Sequence, residues 1–278
     1  MLEGNAAYAA DFPGTGLSAF ERFLERCRDQ GPGNPLEGTR RIIFSGGEVT
    51  LSRQLLDYAR LARRIPGVEH VRIQTNATRL GDVRLLEALL EAGIDEYFVS
   101  VHAPDAALYR EIARRDEAFD QIAAGLDAIR RSGAALITNT AVVAQNHHRL
   151  RDIVEFVLPF APRSMEFWSY WPRADEDHQV EHVARVAEVK PHLLDALGAC
   201  VAAGVPPVVK WFPRCLLGDF ARYQDDRQPP ALIEDDYWER RPGYACLYEG
   251  LCQDAAVCSG LSEPYIHRFG WEQDLLQP

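Results

Sequence analysis

The sequence predicts an α/β protein in which a parallel sheet is covered by helices, and three observations predict it. Apolar runs of strand length alternate with amphipathic stretches of helical period from residue 16 to residue 204. Glycines stand where three of the helices should stop, at Gly93, Gly133 and Gly204. The residues that close each expected strand are polar, small or aromatic, which is the character of the ligand-binding edge of a parallel sheet.

Taken in order, residues 16–30 place Leu17, Phe20, Phe23, Leu24 and Cys27 at helical spacing. Residues 40–45 (RRIIFS) form a short apolar strand, and 52–64 a helix with Leu55, Leu56, Tyr58 and Leu61 on its inner side. HVRIQTN (70–76) is a strand, 82–92 a helix, and EYFVSVHA (96–103) a strand. A helix over 117–132 leads to the strand ALITNTAVV (135–143) and a helix over 149–160. SMEFWSYW (164–171) is a strand, followed by a long helix over 180–203. Five strands and six helices in strict alternation require crossover connections, hence a parallel sheet.

The rhythm breaks after residue 205. VPPVVKWFPRC is a Pro-rich strand, 222–243 is charged and loop-like, and the tail from 244 is short and dense in cysteine. The expected organisation is therefore a domain over 1–204 and a small C-terminal module over 205–278.

Composition excludes several classes. The chain has 278 residues, 47% of them hydrophobic, enough for a real core, and a formal net charge of −11. That acidity disfavours nucleic acid and anionic membranes as partners. No apolar run is long enough to span a bilayer, and MLEGNAAYAADFPG lacks the basic and apolar regions of a signal peptide, so the expected location is the cytoplasm. In that compartment six cysteines point to metal ligation or buried thiols rather than disulfides.

Four strings in order carry a family resemblance: SGGEVTL after the strand at 40–45, TNATRL after 70–76, VSVHAPDAALYREIAR after 96–103, and TNTAVVAQNHHRLRDIVEF from 135–143 onward. Over roughly residues 4–204 the chain resembles the radical SAM superfamily. The resemblance implies a partial (β/α)6 barrel with its first strand missing. It implies S-adenosylmethionine bound at Gly46, Gly47 and Glu48, where an ammonium would meet a carboxylate and close backbone. It further implies Asn76, Ser100 and Asn139 toward the ribose and carboxylate, with Ser169 to Trp171 near the adenine; ordinary packing also accounts for Trp168 and Trp171.

The chain departs from the family at its defining motif. C-x-x-x-C-x-x-C occurs nowhere; the equivalent stretch is GNAAYAADF, where the three cysteine positions fall on Gly4, Tyr8 and Asp11. Glycine has no side chain and tyrosine is no soft thiolate, so this loop cannot hold the cluster that chelates the cofactor. Cys27 and Cys200 lie singly on amphipathic helices and read as buried structural thiols.

Cys215, Cys246, Cys252 and Cys258 are different. Their spacing, C-x30-C-x5-C-x5-C, gathers four thiols that suit one [4Fe–4S] cluster or one tetrahedral zinc. The tail CLYEGLCQDAAVCSGLSEPYIHRFG is similar to the auxiliary-cluster segments of Twitch or SPASM type in the same superfamily, which implies iron and sulfide; four unligated thiols are the competing reading. His102, at a strand end, reads as a hydrogen-bonded structural histidine.

Two functional readings stand. One is a radical SAM enzyme acting on a peptide or small molecule, with catalytic residues unassigned. The other is a scaffold or partner subunit of an active relative, with the cofactor-chelating cluster lost. An unrelated barrel enzyme is disfavoured, because neither a P-loop nor a lysine at a strand end is expected.

Overall fold

The computed structural model describes residues 17–115, 118–170, 172, 177–227 and 243–276. Gly4, Tyr8, Asp11 and Trp171 lie outside the described residues, as does most of the charged stretch 222–243. Eight helices of α type are described: α1 (Leu17–Gln30), α2 (Leu55–Arg63), α3 (Val83–Glu91), α4 (Ala106–Ala113), α5 (Ala118–Ser132), α6 (Leu150–Val157), α7 (Val186–Ala202) and α8 (Glu263–Phe269). The strands are β1 (Arg41–Phe44), β2 (His70–Thr75), β3 (Glu96–Ser100), β4 (Ala135–Val142), β5 (Ser164–Ser169), β6 (Pro207–Lys210), β7 (Tyr244–Ala245) and β8 (Leu261–Ser262).

The first six strands form one sheet in chain order, and the paired registers are parallel. The sheet has six strands rather than the five expected before residue 205. The sixth is β6, cut from the Pro-rich run VPPVVKWFPRC, and it pairs with β5 from Met165↔Pro207 to Trp168↔Lys210. Proline is tolerated there because Pro207 opens the strand, where no ladder donor is needed. Helix α4 is a second departure from the sequence reading, which passed from the strand at 96–103 to a helix at 117. Asp105 creates α4: its carboxylate accepts the Leu108 N–H at 2.9 Å and caps the first turn. The helix expected over 180–203 starts only at Val186, after a 3₁₀ segment at Asp177–His182.

The chain divides into two compact units. The first comprises residues 1–100, 117–136 and 230–235; the second comprises 101–116, 137–229 and 236–278. In the first unit the buried core is Val71, Ile73, Tyr97 and Val99 from strands with Ala59, Ala62, Leu89, Ile122 and Leu126 from helices. Glu96, 1% exposed, sits on this sheet held by Arg41 at 2.6 Å and Arg72 at 3.0 Å. These two guanidiniums outweigh the burial that pushes its carboxyl up, and hold it below the usual range.

In the second unit period-two alternation sorts β5. Met165 and Phe167 are fully buried, and Met165 Sδ meets the Cys200 thiol of α7 at 3.8 Å, whereas Glu166 and Trp168 point to the other face. The C-terminal tail joins this unit through a second apolar cluster of Val183, Val186, Leu216, Leu261, Tyr265 and Leu276. There the Val186 N–H donates to the Tyr265 hydroxyl at 2.8 Å, and Arg185 pairs with Glu272 at 2.7 Å. No helix among the described residues is long and apolar enough to cross a membrane.

Candidate functional site

The Gly-Gly-Glu turn follows β1. Gly46 has φ +145°, a conformation L side chains avoid, and a Cβ built on it would meet nothing within 4 Å, so its backbone faces open space. Glu48 turns inward. Its Oε1 accepts from the Thr50 N–H (3.1 Å), the Thr50 hydroxyl (2.6 Å) and the Thr75 hydroxyl (2.6 Å), and its Oε2 accepts the Asn76 N–H at 2.7 Å. One side chain thus ties the turn closing β1 to the turn closing β2. A carboxylate offers about four acceptor positions, two per oxygen, so Oε1 is saturated and Oε2 keeps one for a further donor.

Asn76, expected as a ligand contact, stands beside Glu48. Its Oδ1 accepts the Thr78 N–H (3.0 Å) and hydroxyl (2.7 Å), which closes the turn after β2. The next residue, Ala77, has φ +60°, an unusual backbone for alanine. Helix α5 packs against it: a Cβ on Gly125 would lie 2.3 Å from the Ala77 carbonyl oxygen, so only glycine fits. Gly46, Gly47, Glu48 and Asn76 are therefore brought together in the first unit, and Ser100 ends β3 of that unit.

Asn139 belongs to the second unit, in β4. It is 6% exposed, and its Nδ2 has no hydrogen-bond partner among the described residues. A buried donor without an acceptor costs free energy unless a ligand supplies one. His102 is a structural histidine as expected: its Nδ1 accepts the Ala141 N–H at 3.2 Å, which places the proton on Nε2. Burial lowers its pKa to about 4, so the ring is neutral.

Three of the four C-terminal cysteines line one cavity of about 200 Å³, namely Cys246, Cys252 and Cys258, together with Ala245, Ala255 and Ser259. Backbone amides point at the sulfurs. The Tyr248 N–H donates to Cys246 Sγ at 3.4 Å and the Arg214 N–H to Cys258 Sγ at 3.3 Å; the fourth expected ligand, Cys215, is exposed and does not line the cavity. Burial raises the Cys258 pKa, and the amides of Arg214 and Gly260 oppose that rise. Gly260, at φ +80°, permits the approach: a Cβ there would sit 2.3 Å from the Ala245 carbonyl and 3.2 Å from the Cys246 Cβ. Amide donors stabilise thiolate over thiol, the form that binds a metal. Among the described residues no three side chains already stand at metal-holding spacing. Three thiols on one cavity, two of them facing amide N–H groups, are soft donors of the type a thiolate-bound group uses. Cys27 and Cys200 are buried packing residues, and burial pushes the Cys200 thiol up to about 12.

Lys210 is the functional candidate that sequence reading missed, since no lysine was expected at a strand end. It ends β6, is 8% exposed, and its Nζ donates to the Arg227 carbonyl at 2.8 Å. Burial pulls its ammonium below the usual lysine range. The signal was the apolar stretch VVKWF, in which one lysine interrupts residues that alternate into a sheet.

Comparison with known proteins places this geometry. Residues 20–157 match the family model described as the Radical SAM superfamily. Among curated relatives, a GTP 3',8-cyclase of Chlorobaculum tepidum is 31% identical over 172 residues, covering 57% of this chain and 48% of the relative. A GTP 3',8-cyclase of Pseudomonas putida is 30% identical over 123 residues, covering 44% of this chain and 36% of the relative. The chain thus spans less than half the length of these relatives. Among solved structures, Streptococcus suis SuiB bound to S-adenosylmethionine superposes with a TM-score of 0.58 at 13% identity, over 89% of this chain and 67% of that one. Escherichia coli coproporphyrinogen III oxidase, a radical SAM enzyme, gives 0.50 at 14% identity over 66% of this chain and 46% of its own. With a parallel sheet of six strands, a Gly-Gly-Glu turn closing the first of them and a matching domain over residues 20–157, this chain belongs to the radical SAM superfamily.

Proposed function

We propose that the chain binds S-adenosylmethionine at the turns closing β1 and β2, holds a [4Fe–4S] cluster at Cys215, Cys246, Cys252 and Cys258 in a Twitch- or SPASM-like segment, and acts on a peptide or a small molecule. The observation that carries this reading is the convergence of Cys246, Cys252 and Cys258 on one cavity with amide N–H groups aimed at two of the sulfurs. Bound there, an iron–sulfur cluster supplies one-electron transfer. The chain's own residues do the rest. Gly46 and Gly47 present backbone to the ligand, and Glu48 fixes their turn and keeps one acceptor at Oε2 for an ammonium. Zinc is the alternative at the cysteines, and it is distinguished by metal analysis and by the absence of a charge-transfer band near the visible region.

The substrate named for the curated relatives, GTP, belongs to proteins more than twice this chain's matched length and is not carried over. A second reading rests on a specific observation: no C-x-x-x-C-x-x-C spacing occurs in the 278 residues. On that reading the domain is a cofactor-binding scaffold or partner of an active relative. Anaerobic reconstitution followed by iron and sulfide analysis separates the two. About four irons per chain, lost in Cys252→Ala, supports a single C-terminal cluster. About eight irons, with release of 5′-deoxyadenosine from S-adenosylmethionine under a strong reductant, supports the enzyme and removes the scaffold.

A further inference from the structure

Asn139, Glu166, Trp168 and Lys210 form one row across β4, β5 and β6. The register sets Asn139 opposite Glu166 and Trp168 opposite Lys210, and Glu166 and Trp168 are two residues apart on β5, so all four share a face. The opposite face of β5 is the one buried against α7, through Met165 and Cys200. The row therefore lines the face away from that helix.

The charges in the row are unequally committed. Glu166 Oε2 accepts the Trp168 indole N–H at 2.8 Å. Asp225 is held by the Arg227 guanidinium through two contacts of 2.8 Å. Asp226 accepts the Trp211 N–H (2.7 Å), the Gln224 side-chain amide (3.0 Å) and the Ser259 hydroxyl (3.0 Å). Each neighbouring carboxylate has donors of its own. Lys210 has three N–H groups, of which one goes to the Arg227 carbonyl, and its Nζ lies 5.7 Å from the Trp168 ring centroid. The fields of Glu166, Asp225 and Asp226 act on this ammonium and offset part of the cost of burying it, while two of its N–H groups are not used by the Arg227 carbonyl. The following residue, Trp211, has φ +60°, a strained backbone for so bulky a side chain and a mark of ligand-binding segments.

We propose that Lys210, over the Trp168 ring, is the recognition cation for an oxyanion, carboxylate or phosphate, carried by a small-molecule substrate. Neighbouring strands are about 4.8 Å apart and residues rise about 3.3 Å each, so Asn139 and Lys210, two strands across and two residues along, are separated by roughly 12 Å. One small oxyanion cannot meet both. The row therefore holds two separate positions, Asn139 on β4 and Lys210 on β6, and the anion site stands on β5 and β6 alone.

The test uses the full chain and intrinsic tryptophan fluorescence, with inorganic pyrophosphate in one arm and succinate in the other. Wild type should respond saturably to at least one of them, and the responding arm identifies phosphate or carboxylate as the group recognised. Lys210→Met should weaken that response about 10- to 100-fold, the loss of a charged hydrogen bond, while Lys210→Arg stays within about threefold. S-adenosylmethionine affinity, measured by equilibrium dialysis, should be unchanged in both variants. No response from wild type to either anion, or an equal response from Lys210→Met, overturns the anion site. Loss of S-adenosylmethionine binding in a folded Lys210→Met variant assigns Lys210 to the cofactor rather than to a separate anion and overturns the proposal. Failure of wild type to bind S-adenosylmethionine at all sinks the cofactor reading and leaves the anion result to stand. Should Lys210→Met not fold, Lys210→Gln, which keeps a donor for the Arg227 carbonyl, carries the same comparison.

Discussion

Ser45-Gly46-Gly47-Glu48 shows how much a few residues can say. The glycines and the carboxylate mark a ligand turn from sequence, but the four donors on Glu48 come from Thr50, Thr75 and Asn76, and two of these lie on another strand's end. Glu48→Ala should leave those donors without an acceptor and cost about 1–3 kcal/mol in urea denaturation, with S-adenosylmethionine affinity falling in step. An unchanged midpoint would show that the turn does not depend on this carboxylate. His102 gives a pH prediction. Its folded pKa, about 4, is depressed from 6.5, so the unfolded chain binds the proton more readily. Its contribution to stability is complete above pH 6.5 and is lost as pH falls toward about 4. Denaturation midpoints across that window should drop for wild type and drop less for His102→Gln.

At the scale of elements, close approaches are made by glycine. Gly125 lets α5 touch the Ala77 turn, and a backbone oxygen 2.3 Å from a new Cβ cannot be rotated aside. Gly125→Ala should cost about 1–3 kcal/mol by overpacking, and the same displacement should disturb Asn76 and Glu48. Gly260 plays the equivalent part between β7 and β8. Gly260→Ala combines a positive φ with a clash against the Ala245 carbonyl, and should abolish iron incorporation while Cys27→Ala leaves it intact. Iron content equal to wild type in Gly260→Ala would separate the β7–β8 pairing from the cysteine site. The elements themselves were largely legible: each expected strand from 40–45 to 164–171 is present, because strict alternation of apolar runs leaves little choice of period. Helix α4 was missed because it is eight residues long and its evidence is a single capping aspartate.

For the molecule as a whole, the metal stoichiometry is the decisive quantity. One cluster per chain, about four irons, is the count the four C-terminal cysteines allow and the outcome that favours the scaffold reading, whereas about eight favours the enzyme. Acid should unfold the chain in part through Glu96. Its carboxyl is held below the usual range by Arg41 and Arg72 against the opposing effect of burial. Stability from this group is present above pH 4.5 and is lost as pH falls through its lower folded value. Glu96→Gln should flatten that acid limb and also lower stability at neutral pH, because two guanidiniums then face an uncharged amide. An acid limb identical to wild type would assign the loss to other carboxylates.

The sequence by itself determined the alternation of strands and helices, the glycine stops, the Gly-Gly-Glu turn and the grouping of four cysteines. All of these are written in local period and spacing. Only the tertiary structure decided that Glu48 spends its carboxylate on two turns, that β6 completes the sheet, and that Asn139, Glu166, Trp168 and Lys210 fall in one row. Those facts depend on strand register between segments up to seventy residues apart, and register is fixed by which faces find apolar cover, a property no single segment carries.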